Sequence, residues 1–215
     1  MTEKAARFCR ELFANVPALL PLEEDFRQAV SLLCGCFRQG GKLLVCGNGG
    51  SAADSEHIVG EMMKGFLCKR PLTREERAAI AAAGCPDPEA FADNLQRGLP
   101  AVSMVSQTAL MTAFLNDVKP DMLFAQQVFA YGRPGDVLLA LSTSGNSADV
   151  VNAAYAAKAR GMEVLSFTGE AESRLSEISR ITFRAPSRQT FRVQEYHLAL
   201  YHGLCGCVEL TIFPE

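Results

Sequence analysis

The sequence predicts an α/β protein, a three-layer αβα sandwich with a five-stranded parallel sheet and an N-terminal helical hairpin. Five short apolar stretches alternate with helical segments along the chain. Strands that are apolar at nearly every position belong to parallel sheets covered on both faces, which places helices above and below the sheet. The chain has 215 residues, 48% of them apolar, and this composition suits a globular core.

The first 38 residues are expected to form two helices that fold back on each other as a hairpin. Phe8 and Leu12 recur at helical spacing in the first helix, and Phe26 and Val30 do so in the second. The apolar face of this hairpin must be buried, either on its own domain or on another subunit.

After a Gly-Gly break, strands and helices alternate to the end of the chain. The predicted strands span residues 42–46, 101–105, 136–141, 163–167 and 180–184. The predicted helices span residues 52–66, 107–115, 121–131, 148–160, 173–177 and 189–210. Continuous apolar runs predict the strands, and apolar residues three or four apart predict the helices.

Residues 67–98 are expected to form a helical insertion between the first helix of the sheet region and the second strand. Thr73 and Glu76 have the spacing of a capping box, which marks the start of a helix. The segment is interpreted as a solvated surface excursion, because chain entropy alone tolerates long insertions. The alternative interpretation is a lid.

The composition excludes several classes of protein. A net charge of −3 gives the chain no general attraction for nucleic acid. No apolar run reaches the roughly 18 residues of a membrane span, and the N-terminus lacks the apolar core of a signal peptide. The eight cysteines are therefore expected as buried, reduced thiols. We expect a cytoplasmic protein that binds neither nucleic acid directly nor membranes.

A glycine-rich loop follows the first predicted strand. Gly47, Asn48, Gly49, Gly50 and Ser51 stand between that strand and a helix. Glycines permit sharp turns and a close approach to a ligand, and the helix N-terminus attracts anions. The loop lacks the Gly-Lys-Ser/Thr of a Walker loop, and it matches the dinucleotide fingerprint poorly.

A hydroxyl-rich loop follows the third predicted strand. Its hydroxyls belong to Ser142, Thr143, Ser144 and Ser147, and a helix begins directly afterwards. Hydroxyls and backbone N–H groups together form a neutral phosphate cradle, whereas N-capping alone needs a single serine. The loop therefore predicts a site for a phosphate monoester.

Imidazole and carboxylate groups stand together on two helices. His57 and Glu61 are four residues apart, so they share a helix face and could reach one metal ion or substrate. The last helix carries Gln194, His197 and His202. Nitrogen and oxygen donors of this kind suit Zn²⁺ or a similar divalent ion, although a single histidine is more often structural.

Four motifs, in this order along the chain, resemble the sugar isomerase (SIS) domain family, and more narrowly its phosphoheptose isomerase branch. They are Gly47–Ser51, Asn116-Asp117, the segment from Gly135 to Ser147, and Val193–His197. The resemblance covers nearly the whole chain. It implies one SIS domain over residues 1–215 with a flavodoxin-like sheet, and a homotetramer with sites between subunits.

The resemblance also implies a role for each matching residue. The implied substrate contacts are Asn48, Gly49, Gly50, Ser51, Asn116, Asp117 and Gln194, and the implied phosphate contacts are Ser142, Thr143, Ser144 and Ser147. The implied metal set, for one Zn²⁺ or other divalent ion per subunit, is His57, Glu61, Gln194 and His202. Glu61 would act as the base and His202 as the acid.

The activity implied is the isomerisation of sedoheptulose 7-phosphate to D-glycero-D-manno-heptose 7-phosphate through an enediol. The alternative is a non-catalytic SIS protein, either of the replication-initiator-associating type or a phosphosugar sensor. The acid–base set favours catalysis, since a binding module needs none. Three features depart from the family pattern. They are Lys64 near the position of a family arginine, Thr190-Phe191-Arg192 where the isomerases tend to carry an acidic residue, and the 67–98 insertion.

Overall fold

The computed structural model describes residues 1–213, so the predicted domain bounds run two residues beyond the described part. It confirms the α/β class. Its five strands form one parallel sheet in the order β2-β1-β3-β4-β5, which is the flavodoxin-like order. The strands are β1 (Leu43–Gly47), β2 (Ala101–Ser103), β3 (Val137–Leu141), β4 (Glu163–Thr168) and β5 (Ile181–Arg184).

The helices agree with the predicted segments to within about two residues at most ends. They are α1 (Glu3–Asn15), α2 (Glu23–Arg38), α3 (Gly50–Met63), α4 (Arg74–Ala82), α5 (Pro88–Asp93), α6 (Thr108–Asp117), α7 (Leu123–Tyr131), α8 (Ala148–Ala159), α9 (Arg174–Ile178) and α10 (Thr190–Ile212). Short 3₁₀ turns at Pro17–Leu22 and Pro120–Met122 precede α2 and α7.

Side-chain alternation along the strands divides the core into two halves. In β3, Val137 and Leu139 face the cluster that contains α1, α2 and α10, whereas Leu138 and Ala140 face the cluster that contains α7 and α8. All five residues of β1 and of β3 are buried. A strand buried on both faces must be apolar throughout, which explains the continuous runs in the sequence.

The two N-terminal helices are buried within their own chain. Both pack against α10, and their closest aromatic contact is an edge-on pair between Phe13 and Phe26, with ring centroids 5.4 Å apart. The apolar face predicted for the hairpin is therefore covered by the last helix of the same subunit.

The insertion is a helical hairpin of α4 and α5, as predicted. Thr73 caps α4, since its hydroxyl accepts from the Glu76 N–H while the Glu76 carboxylate accepts from the Thr73 N–H. No residue of α4 is buried, which agrees with a solvated excursion. The stretch that leads into it is different, because Arg70 is completely buried there.

Arg70 forms an ion pair with Glu209 of α10 in which both side chains are fully buried. Arg70 Nε lies 2.7 Å from Glu209 Oε1, and its other nitrogens donate to the carbonyl oxygens of Met62 and Glu61 at the end of α3. The Glu209 carboxylate also accepts from the N–H groups of Phe66 and Leu67. One ion pair thus joins α3, α10 and the base of the insertion.

Two further observations concern the whole chain. Within residues 1–213, no helix has the length and apolar character needed to span a bilayer. Six of the eight cysteines are buried free thiols, as expected, namely Cys9, Cys34, Cys36, Cys46, Cys205 and Cys207.

We predict that Glu209→Ala lowers the free energy of unfolding by about 3–5 kcal/mol, because it leaves the Arg70 charge buried without a partner. Glu195→Ala is the matched control on the same helix. Its ion pair with Arg192 is more than half exposed, so its loss should cost no more than about 1 kcal/mol. Denaturant unfolding of both variants measures the difference, and equal costs would contradict a dominant role for the buried pair.

Candidate active site

The two predicted binding loops lie where the strands end, at the switch point between β1 and β3. Asn48 follows β1 and Ser142 follows β3, and these strands are neighbours in the sheet. In parallel sheets of this order, ligands bind at this crevice. The Asn48 amide nitrogen donates to both carboxylate oxygens of Asp149 at 3.0 and 2.9 Å, which ties the two loops together.

The hydroxyl-rich loop is pre-organised by its own hydrogen bonds. Ser142 Oγ lies 2.9 Å from Ser147 Oγ and 3.4 Å from Ser144 Oγ. Ser144 Oγ also accepts from the N–H of Asn146. Ser147 is the N-cap residue of α8, yet its hydroxyl makes no capping bond to that helix. The hydroxyls therefore face one another rather than the helix end, an arrangement that suits a bound phosphate.

The backbone of this loop is fixed by close packing. Gly145 has a φ of +67°, and a Cβ at this position would collide with the Ser173 side chain. The carbonyl of Thr143 accepts from the N–H of Gly169 at the end of β4. A larger residue at position 145 would thus be both strained and obstructed.

The glycine-rich loop leads into α3 beside α10. Gly49 adopts a φ of +57°, and a Cβ on Gly50 would collide with the Gln194 amide. Ser51 is buried and packs against Gly47. Its predicted contact with substrate stays a prediction. Gln194 therefore lies against the start of α3.

His57, Glu61 and His202 meet further along the same two helices. His57 Nε2 lies 3.3 Å from Glu61 Oε1 and 3.5 Å from His202 Nε2. Lys64 Nζ lies 3.5 Å from Glu61 Oε2, and Oε2 itself is buried without a hydrogen-bond partner. Burial lowers the pKa of His202, the neighbouring His57 lowers it further, and Glu61 opposes both. Neutral His202 is thus favoured.

Two residues of this cluster were not predicted from the sequence. The Tyr201 hydroxyl lies 3.0 Å from His57 Nδ1 and 3.3 Å from Asp54 Oδ1. Burial raises the pKa of both Tyr201 and Asp54. The only signal in the sequence is positional. Asp54 precedes His57 by three residues, which puts both on one helix face, and Tyr201 adjoins His202 in the sequence.

Some residues that the sequence analysis grouped have different neighbours in the structure. Gln194 and His202 are eight residues apart, about 12 Å along the axis of α10. Gln194 lies against Gly50 and His202 against His57, and the place of Gln194 in the metal set stays a prediction. Asn116 and Asp117 end the exposed helix α6 and bond to each other at 2.8 Å. Their predicted contact with substrate stays a prediction.

His197 belongs to the core rather than to the site. It is completely buried, and its Nε2 lies 3.1 Å from the carbonyl oxygen of Thr168. Burial lowers its pKa to about 4, against the hydrogen bond to Thr168, which raises it. This histidine is neutral and structural, whereas the other two histidines face each other in the site.

The donor atoms around His57 decide whether a metal ion fits this site. In the part of the chain from residue 1 to 213, no group of three or more His, Cys, Asp or Glu side chains forms a ready metal site. Yet His57 Nε2 lies 3.3 Å from Glu61 Oε1 and 3.5 Å from His202 Nε2, and Glu61 Oε2 has no hydrogen-bond partner. These donors are of the kind that Zn²⁺ prefers, so His57, Glu61 and His202 fit the ion in chemistry.

Comparisons with known proteins agree with the motifs. The family described as SIS domain matches residues 8–87 and 92–169. The phosphoheptose isomerase of Shewanella baltica is 34% identical over 211 residues, covering 97% of this chain and 94% of that protein. The solved phosphoheptose isomerase of Neisseria gonorrhoeae is 34% identical with a TM-score of 0.72, covering 95% of this chain and 96% of that one. A phosphoheptose isomerase from Francisella tularensis is 27% identical with a TM-score of 0.74, covering 97% and 98%.

We predict that Ser144→Ala or Ser147→Ala weakens binding of inorganic phosphate or a phosphate monoester at least about tenfold. Each change removes a hydrogen bond to a charged group, worth about 1.5–3 kcal/mol. Ser31→Ala, an exposed serine of α2, is the control and should bind normally. Calorimetry measures the dissociation constants, and unchanged binding in both loop variants would place the phosphate elsewhere.

Proposed function

The chain belongs to the SIS domain family, and from that premise we propose that it is an aldose–ketose isomerase of a sugar phosphate. The substrate proposed is sedoheptulose 7-phosphate and the product D-glycero-D-manno-heptose 7-phosphate. The observation that carries the proposal is that Glu61, His57 and His202 come together on α3 and α10, in a chain that also has a loop lined with serine hydroxyls. Relatives named phosphoheptose isomerase over almost the full chain support the same activity.

Binding would be divided between the two ends of the site. Ser142, Ser144 and Ser147, with the first N–H groups of α8, would hold the phosphate without a basic side chain. Asn48 and Gln194 would hydrogen-bond the hydroxyls of the open-chain sugar. This arrangement places the phosphate at a fixed point and directs the opposite end of the substrate along α3 and α10.

The reaction requires a proton to leave C1 of the ketose and a proton to reach C2. Glu61 would accept the C1 proton, since its Oε2 is shielded from water and has no hydrogen-bond partner. The electrons of the broken C–H bond then form the C1–C2 double bond of a cis-enediol. Return of the proton to C2 makes the aldose, while His202 moves a proton from O1 to O2. Each group positioned for proton transfer contributes about 10²–10⁴ in rate.

We propose that one Zn²⁺ or similar divalent ion per subunit binds to His57, Glu61 and His202, with Gln194 the fourth member of the set that the family resemblance implies. Such an ion would polarise the carbonyl or hydroxyl oxygens of the substrate. The chain's own contribution is to bring Glu61 Oε1 and His202 Nε2 within 3.5 Å of His57 Nε2. Lys64 adds a positive charge near Glu61.

We propose a homotetramer of single SIS domains that span residues 1–215. The support is an apolar surface on and after α6, none of whose residues is buried. Leu115, Val118, Met122 and Phe129 are all at least two-fifths exposed, and a second copy would cover them. Asn116 and Asp117 lie in the same surface, where they could face the site of a neighbouring subunit.

We further propose a cytoplasmic enzyme whose partner is the phosphosugar, with no direct binding to nucleic acid or membranes. The six buried free thiols fit a reducing compartment. The non-catalytic alternative is not favoured, because relatives named as isomerases match the chain almost end to end.

We predict that Glu61→Gln lowers turnover by about 10²-fold or more while phosphate affinity is kept. The amide is nearly isosteric but cannot accept a proton at neutral pH. Glu195→Gln, on the exposed face of α10, should leave turnover unchanged. A panel of sugar phosphates assayed with the parent protein identifies the best substrate first.

Metal content must be measured in the same Glu61→Gln sample, because Glu61 is also a proposed ligand. Near-full turnover in this variant would refute the assignment of the base. A parent protein that binds phosphosugars but converts none of them would instead support the non-catalytic alternative.

We predict that a chelator lowers turnover and that added Zn²⁺ restores it. Elemental analysis of protein purified without chelator should give about one ion per subunit, because the three donors form one site. A protein with no stoichiometric metal, and no gain from added Zn²⁺, would refute the metal but leave the fold and family intact.

A further inference from the structure

A buried tyrosine connects His57 to a carboxylate outside the proposed catalytic set. Tyr201 is only 1% exposed, and its hydroxyl lies between Asp54 Oδ1 at 3.3 Å and His57 Nδ1 at 3.0 Å. Its ring packs edge-on against both His57 and His202, with centroids 5.5 and 4.8 Å away. The three groups form a chain of hydrogen bonds behind the imidazole.

The number of protons on these three groups determines which of them donates in each hydrogen bond. A phenol hydroxyl has one proton to donate, and a carboxylate can only accept. The Tyr201 proton must therefore go to Asp54, and the Tyr201 oxygen must accept from His57 Nδ1–H. We propose that Asp54 and Tyr201 are positioning residues that hold His57 in the Nδ1–H tautomer and so present the lone pair of Nε2 to the centre of the site.

The lone pair of Nε2 faces the lone pairs of a carboxylate. Glu61 Oε1 lies 3.3 Å from Nε2, and His202 Nε2 lies 3.5 Å away on the same side. Two facing acceptors repel each other unless a cation or a proton lies between them. The tautomer thus favours a positive charge between His57 Nε2 and Glu61. The binding of a metal ion there rests on the proposed function, whereas the tautomer does not.

Partners of this kind commonly decide which imidazole nitrogen is free to bind a metal, and their loss costs about 10–100-fold in affinity. The Tyr201 hydroxyl contacts His57 at Nδ1, whereas Glu61 faces the other ring nitrogen, so Tyr201 and Asp54 act on the site through His57. Their role differs from simple packing because it depends on one hydroxyl proton and its direction. Substitutions that keep the packing but remove or redirect that proton therefore distinguish a positioning role from simple packing.

The test is nitrogen NMR of the full chain, labelled at histidine and treated with chelator. The chain has three histidines, and a His57→Gln sample identifies the signals of His57. We expect the parent protein to show His57 protonated at Nδ1 and unprotonated at Nε2. An Nε2–H tautomer, or a doubly protonated ring at neutral pH, would overturn the proposal.

Two variants test the direction of the hydrogen bonds. Tyr201→Phe removes the hydroxyl and keeps the ring, so His57 should lose its fixed tautomer and show a mixture. Asp54→Ala frees the Tyr201 proton to donate to His57 Nδ1, so the tautomer should invert to Nε2–H. Tyr196→Phe, on the same helix and outside this hydrogen-bond chain, should match the parent. An unchanged tautomer in both Tyr201→Phe and Asp54→Ala would overturn the proposal.

Zinc affinity, measured by competition with a chelating dye, gives a second readout. Tyr201→Phe should weaken binding by about 10–100-fold, whereas Tyr196→Phe should not. Equal zinc affinity in Tyr201→Phe and the parent would overturn the proposed effect of Tyr201 on the ion. If the parent binds no zinc, the metal proposal fails, and the NMR result still decides the tautomer.

Discussion

The buried ion pair of Arg70 and Glu209 is the constraint on which the geometry of the site depends. Two charges without access to water are tolerated only when hydrogen bonds satisfy their remaining atoms. Here those bonds go to the last carbonyls of α3 and to the two N–H groups that follow it. The register of α3 against α10 is therefore fixed at the turn that carries Glu61. This register sets the distance between the imidazoles of His57 and His202.

Much of the fold could be predicted because its signals are local. The continuous apolar strands, the capping box at Thr73 and the hydroxyls from Ser142 to Ser147 are each contained in a few neighbouring residues. Even the sheet edge at which the loops meet follows from the parallel strand order. The two loops of the candidate site, and their meeting at one edge of the sheet, can accordingly be predicted from a few neighbouring residues, whereas the phosphate contacts stay a prediction.

The other end depends on pairs that are far apart in the chain. Arg70 and Glu209 are separated by 139 residues, and a sequence that contains Lys69, Arg70 and Pro71 in an insertion reads as a solvated surface. Asp54 and Tyr201 likewise have no local pattern that distinguishes them from ordinary helix residues. His197 shows the reverse case, since the helix position that suggested a functional group faces the core.

The spacing of side chains along α10 explains how these two ends form one site. Its first turn lies beside the hydroxyl-rich loop. Val193 packs close to Gly169, and the Gly169 N–H donates to the carbonyl oxygen of Thr143 in that loop. Gln194 lies against Gly50 at the start of α3, and His202 follows about 12 Å further along the axis. A single helix thus sets the distance between Gln194 and His202, and the ion pair at Glu209 anchors that helix two turns beyond His202. Under the proposed function, a substrate held at its phosphate would present to Glu61 only the carbons at the matching distance, so this helix would select the length of the sugar.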